Sequence, residues 1–175
     1  KMKEFKIFLI VYLVYLVFMS NFGGNYMADS MLTATISLVE KGTLVIDDYV
    51  TDTCKETGCD HAFFKGHYYS GFAPGLTFIA LPIYFIAYPF LENFLPDILF
   101  GNSKIELKLI ALNILATIFI SSLLAALTCV LVYRISSYFT QNKKTKLFVT
   151  FTLAFSTLFF LYSTGYYARI IAVFF

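Results

Sequence analysis

Gly66-His67-Tyr68-Tyr69-Ser70-Gly71-Phe72-Ala73-Pro74-Gly75 closes a long polar segment and opens a run of apolar residues. Before it, from Gly23 onward, the chain is polar and net acidic and holds both histidines and seven of the eleven acids. After it the chain is almost continuously hydrophobic. Such a boundary is expected where water meets a membrane. Composition agrees: 59% of the 175 residues are hydrophobic and 14% charged, where soluble domains carry roughly a quarter charged. Apolar runs close to the ~20 residues that carry a helix across a hydrocarbon layer recur, whereas a barrel would show short alternating strands. The expected class is an all-α polytopic integral membrane protein in the lipid bilayer. A net charge of +2 is too small to imply nucleic acid as a partner.

Upstream, Lys1, Lys3 and Lys6 precede an apolar stretch read as a first span over 7–22, and basic residues before a first span predict a cytoplasmic N-terminus. A cleaved signal peptide is the competing reading, but bulky Tyr26-Met27 makes a poor cleavage site. The polar segment 23–75 then becomes an extracytoplasmic loop. Within it Asp29 can cap a helix in which Leu32, Ile36 and Val39 repeat at helical spacing. Ser30, Thr33, Ser37 and Glu40 mark its other face and Gly42 its end, a pattern suited to lying along the membrane surface. Residues 43–46 read as a short extended piece. Cys54 and Cys59 suit a disulfide in an oxidising compartment; a metal site combining them with His61 and His67 matches no common zinc spacing. Cys129 reads as a packing residue.

Downstream, 76–96 is long enough to span but contains Pro82, Pro89, Glu92 and Pro96. If it spans, Arg134, Lys143, Lys144 and Lys146 fall outside, against the positive-inside rule. Proline-broken juxtamembrane or re-entrant helices avoid that conflict, because the second span over 105–133 then carries the chain inward. A third span is read over 147–162, and 166–175 as the start of a further element. The apolar ending at Phe174-Phe175 suggests an excerpt of a longer protein.

Asp29 lies close after the first span, where partial desolvation can raise a carboxyl toward the working range of a base; helix capping is the alternative and does not exclude it. Asp47-Asp48 with Tyr49 can hold a hard divalent cation through oxygen ligands, the only cofactor suggested, or form an acidic turn. His67-Tyr68-Tyr69-Ser70 offers aromatic faces and donors to a sugar or lipid, or forms an interfacial aromatic belt. Glu40, Asp52 and Glu56 read as solvating charges. Arg169 stands alone among apolar residues, either snorkelling to headgroups or part of a site. Phosphate loops, zincin helices and nucleophile elbows are absent from the sequence.

Asp29-Ser30, Thr35, Val39-Glu40-Lys41-Gly42-Thr43, Ile46-Asp47-Asp48-Tyr49, Asp60, Gly66-His67-Tyr68-Tyr69-Ser70, Ala73-Pro74-Gly75-Leu76 and Leu81-Pro82 together resemble the amino-terminal part of GT-C type membrane glycosyltransferases. The narrower resemblance is to the polyprenyl-phosphate-sugar-dependent branch that includes protein O-mannosyltransferases and the lipid A aminoarabinose transferase, and it covers most of 1–165. It implies one GT-C-like helical bundle with juxtamembrane helices on the outer face of the plasma membrane. It further implies transfer of a sugar from a polyprenyl-phosphate carrier to an acceptor hydroxyl on a glycan, lipid or protein. On that resemblance Asp29 is the acid/base, Asp47, Asp48 and Asp60 are secondary acids, and His67, Tyr68 and Tyr69 shape the sugar pocket. The chain departs from the pattern at Phe72 and at Met31-Leu32, where relatives often carry basic or Arg-Tyr residues. That leaves Lys65 and Arg169 as phosphate partners. The alternative reading is a non-catalytic protein that binds or translocates lipid-linked saccharide.

Overall fold

A computed structural model describes residues 2–19, 26–50, 60–96, 98–99 and 102–174. The chain is mainly helical: α1 (Met2–Val17), α2 (Tyr26–Lys41), α3 (Gly75–Phe94), α4 (Lys104–Ala116), α5 (Leu123–Phe139), α6 (Lys143–Ser156), α7 (Leu158–Ser163) and α8 (Ala168–Phe174). A 3-10 turn covers Asp47–Tyr49 and a π-helical segment covers Thr117–Ser122. Strands β1 (His61–Phe64) and β2 (His67–Ser70) form an antiparallel hairpin, as do β3 (Ile98–Leu99) and β4 (Asn102–Ser103). Two helices are long and apolar enough to cross a membrane, Gly75–Phe94 and the continuous Lys104–Phe139. The chain divides into two compact units, one of Lys1–Ser20 with Thr117–Phe175 and one of Asn21–Ala116.

The first unit packs α1, α6 and α8 around α5. Its core is Ile7, Val11, Tyr15, Ala125, Ala126, Cys129, Ala154, Phe159 and Ile170. Alanines on α5 let the neighbouring helices approach, and Tyr15 fills the remaining space. Its buried phenol donates to the Ala154 carbonyl at 3.1 Å and lies 3.7 Å from Cys129 Sγ, so the polar tip has partners inside an apolar core. Cys129 packs as its sequence setting suggests. The Arg134 guanidinium forks onto Glu4 at 2.9 and 2.7 Å, which puts the start of α1 and the carboxyl-terminal half of α5 at the same end of this unit. The stretch 147–162 is not one helix. It stops at Ser156, and Thr157 caps a new helix by accepting the Phe159 N–H at 3.1 Å.

The second unit is built on α2, against which α3 and α4 pack. Residues 30–37 of α2 are buried on every side, so this helix is the centre of its unit, and not the surface-lying amphipathic helix its pattern suggested. Its small hydroxyls are buried with partners. The Thr35 hydroxyl shares its one proton between the Met31 and Thr77 carbonyls at 3.1 and 3.2 Å, while Thr77 donates to the Met31 carbonyl at 3.1 Å. Short side chains of this kind let α2 and α3 approach closely while satisfying their polar groups. The proline-broken pair expected over 76–96 is a single helix, α3, running through Pro82 and Pro89. The two prolines are seven residues apart, on one exposed face, so the backbone bonds they forgo lie away from the packed side. That packed side carries Leu76, Thr77, Ala80 and Tyr84. The opposite side exposes Phe78, Phe85, Ile86, Phe90 and Phe94, more apolar surface than a water-facing helix presents.

A charge cluster closes the far end of this three-helix unit. Glu40 of α2 accepts from Lys108 Nζ of α4 at 2.7 Å and from the Tyr84 hydroxyl of α3 at 2.6 Å through Oε1. Through Oε2 it accepts from the Tyr49 hydroxyl at 3.2 Å. Lys108 also meets Glu92 Oε2 at 2.6 Å, in an ion pair outside hydrogen-bond alignment, and Lys104 pairs with Glu92 Oε1 at 2.9 Å. The side chains of Lys108 and Glu40 are only 7% and 16% exposed. Two acids and two lysines cancel, which is the condition for placing charge among apolar helices. Glu40→Ala is expected to lower stability by about 3 kcal/mol, since Lys108 and Tyr84 then lose a buried partner. The pair Glu40→Met with Lys108→Met should cost much less; equal losses in detergent unfolding would show that shape, and not charge pairing, holds this end.

Candidate functional site

The sequence-derived site residues fall into three places. Asp29 is the fourth residue of α2, in its first turn and half-buried, so it does not cap the helix from outside; it sits where the helix dipole favours a carboxylate. Beside it Ser30 is buried, and its Oγ lies 2.9 Å from the Asp60 carbonyl, to which it donates, and 2.9 Å from Ser70 Oγ. The first turn of α2 is thereby tied to the base of the β1–β2 hairpin. Gly71 completes the closure: its N–H donates to the Asp60 carbonyl at 2.9 Å, and a Cβ there would meet that same oxygen at 2.6 Å. Ser30, the Asp60 backbone and Ser70 are therefore brought together, with Asp29 the preceding residue of the helix, and the register places His61 opposite Ser70 at this end. Burial pushes the His61 imidazole below its ordinary pKa, opposed by the Asp60 carboxylate, which favours a neutral proton acceptor. His61 entered the sequence reading only as a metal ligand. Nothing in its local sequence marked it as a neighbour of Ser70.

The turn end of the hairpin holds the second group. Lys65 and Gly66 have φ of 50° and 85°, the paired left-handed residues of a two-residue turn that follows the strand twist. Asp47 caps this end: its Oδ1 accepts the Tyr68 N–H at 2.6 Å and its Oδ2 lies 2.7 Å from His67 Nδ1. The Ile46 N–H adds a bond to the Tyr68 carbonyl at 2.9 Å. Asp48 pairs with Lys41, whose ammonium lies 4.6 Å from the Tyr49 ring centroid. Burial and the neighbouring Glu40 carboxylate push the Tyr49 phenol above its ordinary range, so it remains a donor. Lys65 is at the tip, about 13 Å along a four-residue strand from the Ser30 end. Tyr69 is half-buried on β2 and Tyr68 packs on Phe63. The acids of the turn end are thus engaged by His67, Lys41 and backbone, and among the described residues no three His, Cys, Asp or Glu side chains form a metal-holding group.

Arg169, the third, belongs to the other unit. There its guanidinium donates to the Tyr162 hydroxyl at 2.5 Å and lies 4.6 Å from that ring's centroid. Cys54 and Cys59, with Asp52 and Glu56, lie outside the described residues. Glu40, read from sequence as a solvating charge, is instead bonded to Lys108, Tyr84 and Tyr49. Lys108, an ammonium within an apolar helix, was the signal that could have found it.

Comparison with protein-family models, with curated proteins and with solved structures finds no match.

The Asp47 carboxyl is held below its ordinary pKa by the His67 hydrogen bond first and the Tyr68 N–H second. A depressed carboxylate contributes stability that is present above its unfolded pKa and is lost as pH falls through the folded value. Exchange of the Tyr68 amide should therefore stay slow down through the ordinary carboxylate range and accelerate only below it. In Asp47→Asn it should be faster at neutral pH with no acid step; an unchanged profile would exclude the cap.

Proposed function

We propose that this chain is part of an integral-membrane glycosyltransferase that moves a sugar from a polyprenyl-phosphate carrier to an acceptor hydroxyl on the extracytoplasmic face. The observation that carries the reading is the Ser30 bridge, which ties the first turn of α2, where Asp29 lies, to the Asp60 backbone and Ser70 at the base of the hairpin whose second strand comes from the Gly66–Gly75 motif. In this reading Asp29 takes the proton of the acceptor hydroxyl, whose oxygen bonds to the sugar's anomeric carbon as the carbon–oxygen bond to phosphate breaks. In this reading His61 and Ser70, cross-strand partners on one face of the hairpin, contact sugar hydroxyls. The exposed apolar side of α3 suits the carrier's lipid tail.

The same-end placement of Glu4 and Arg134 supports an orientation with Lys6, Arg134, Lys143, Lys144 and Lys146 in the cytoplasm. The 36-residue helix Lys104–Phe139 is about 54 Å long, against ~30 Å of hydrocarbon. Its charged start at Lys104, Glu106 and Lys108 marks the surplus as the end outside the hydrocarbon. That leaves α3 on the outer side as a juxtamembrane helix. Membranes carrying the chain should transfer labelled sugar from polyprenyl phosphate, and Asp29→Asn should reduce transfer by about 10²–10⁴-fold; undiminished transfer removes Asp29 from the mechanism. A cysteine at Lys143 should be reached by reagents only from the cytoplasmic side, and labelling from outside would invert the orientation.

A second reading, a non-catalytic binder or translocator of lipid-linked saccharide, is favoured by Phe72, half-buried where a basic residue would meet phosphate. It predicts saturable binding of the carrier with no transfer from the wild-type chain.

A further inference from the structure

The β1–β2 hairpin presents phenylalanines on both of its faces. Phe63 is 65% and Phe64 60% exposed, and consecutive residues of a strand point to opposite sides. Tyr68, cross-strand from Phe63, packs on it with 5.0 Å between ring centroids and is itself exposed. Lys65 at the tip holds its ammonium 5.2 Å from the Phe64 ring centroid. The tip is preorganised by the paired positive-φ residues, by Asp47 on the Tyr68 N–H and by Ile46 on the Tyr68 carbonyl. A hairpin end held out in water ordinarily carries polar turn residues; this one carries aromatic rings and a cation. Rings suit the boundary between headgroups and acyl chains, and an ammonium suits the phosphate layer just above it. Five residues after Ser70 the chain enters α3, whose outward face exposes Phe78, Phe85, Ile86 and Phe90.

We propose that the hairpin tip is a membrane anchor, with Phe63 and Phe64 entering the headgroup–acyl boundary of the bilayer and Lys65 pairing with anionic lipid phosphates. The occupant is a lipid surface because Lys65 matches anionic headgroups and because the rings project from both sides of a two-stranded ribbon. A fluid apolar layer surrounds such a ribbon; a protein groove covers one side of it. The inference rests on the membrane placement of α3 in the proposed function and adds a second attachment point beside it.

The chain contains no tryptophan, so a single introduced indole reports its own surroundings. Full chains carrying Phe63→Trp or Phe64→Trp, reconstituted in phosphatidylcholine vesicles with phosphatidylglycerol, should emit at blue-shifted wavelength. Lipid brominated near the headgroup should lower that emission at least about twofold, as for a side chain ~5–10 Å into the interface. Adding Lys65→Glu to Phe64→Trp should weaken quenching in anionic vesicles and leave it unchanged in neutral ones; equal quenching in both removes the phosphate contact. Phe85→Trp, on the outward face of α3 at 68% exposure, is the reference. Quenching of Phe85→Trp with water-like, unquenched emission from both hairpin variants overturns the anchor alone. An unquenched Phe85→Trp overturns the membrane placement of α3 and the anchor with it. Sugar transfer is not read in any arm, so loss of the catalytic reading leaves these outcomes distinct.

Discussion

The Glu40 carboxylate is the interaction on which the larger polar unit depends. One buried acid takes an ammonium from α4, a phenol from α3 and a second phenol from the Asp47–Tyr49 turn. A carboxylate in apolar surroundings costs several kcal/mol unless each lone pair is met, so these elements are bound to converge there or the charge is left unpaired. The constraint is directional in a way that apolar packing is not. Two phenols and an ammonium fix the rotation of α2 against its neighbours, while Lys104 and Glu92 extend the pairing along α3 and α4.

At the opposite end of α2 a neutral version of the same principle operates. Ser30 has no charge to pair, but its buried hydroxyl joins a loop carbonyl and a strand hydroxyl to the first helical turn. The hairpin is therefore held at its base by Ser30 and Gly71 and at its turn by Asp47, with α2 and the 3-10 turn as the two supports. This two-point hold places Asp29 and His61 at one end and His67, Tyr68 and Asp47 at the other, separated by the length of β2. The hairpin and α2 residues named from sequence thus gather at the two ends of the hairpin, and the chemistry we propose uses the Ser30 end.

The first unit is organised differently. Its helices meet over alanines and a buried tyrosine, with Arg134 and Glu4 pairing in the exposed zone. There the polar groups serve mainly to give Tyr15 partners and to fix which helix ends lie together. Arg169, joined to Tyr162, belongs to this chemistry. Sequence shows Arg169 isolated in an apolar stretch and does not show that an aromatic partner lies seven residues earlier on a turning chain.

From sequence alone came the mainly helical, membrane-compatible class, the polar segment ending at Gly75, and the helix around Leu32 and Ile36, because composition and period are local properties that burial must respect. Tertiary structure alone decided that α2 is buried all round, that two prolines leave α3 unbroken, that 147–162 divides at Thr157, and that Glu40 is a hub. The first and last of these turn on partners distant in the chain. Lys108 lies sixty-eight residues from Glu40, and neither charge announces the other. A hydroxyl pattern such as Ser30 and Ser37 reads as a wet face until the carbonyls of Asp60 and Val45 that receive it are folded against it. Local patterns report what a segment can bury; only the packed chain supplies the partners that make burying a charge or a hydroxyl favourable.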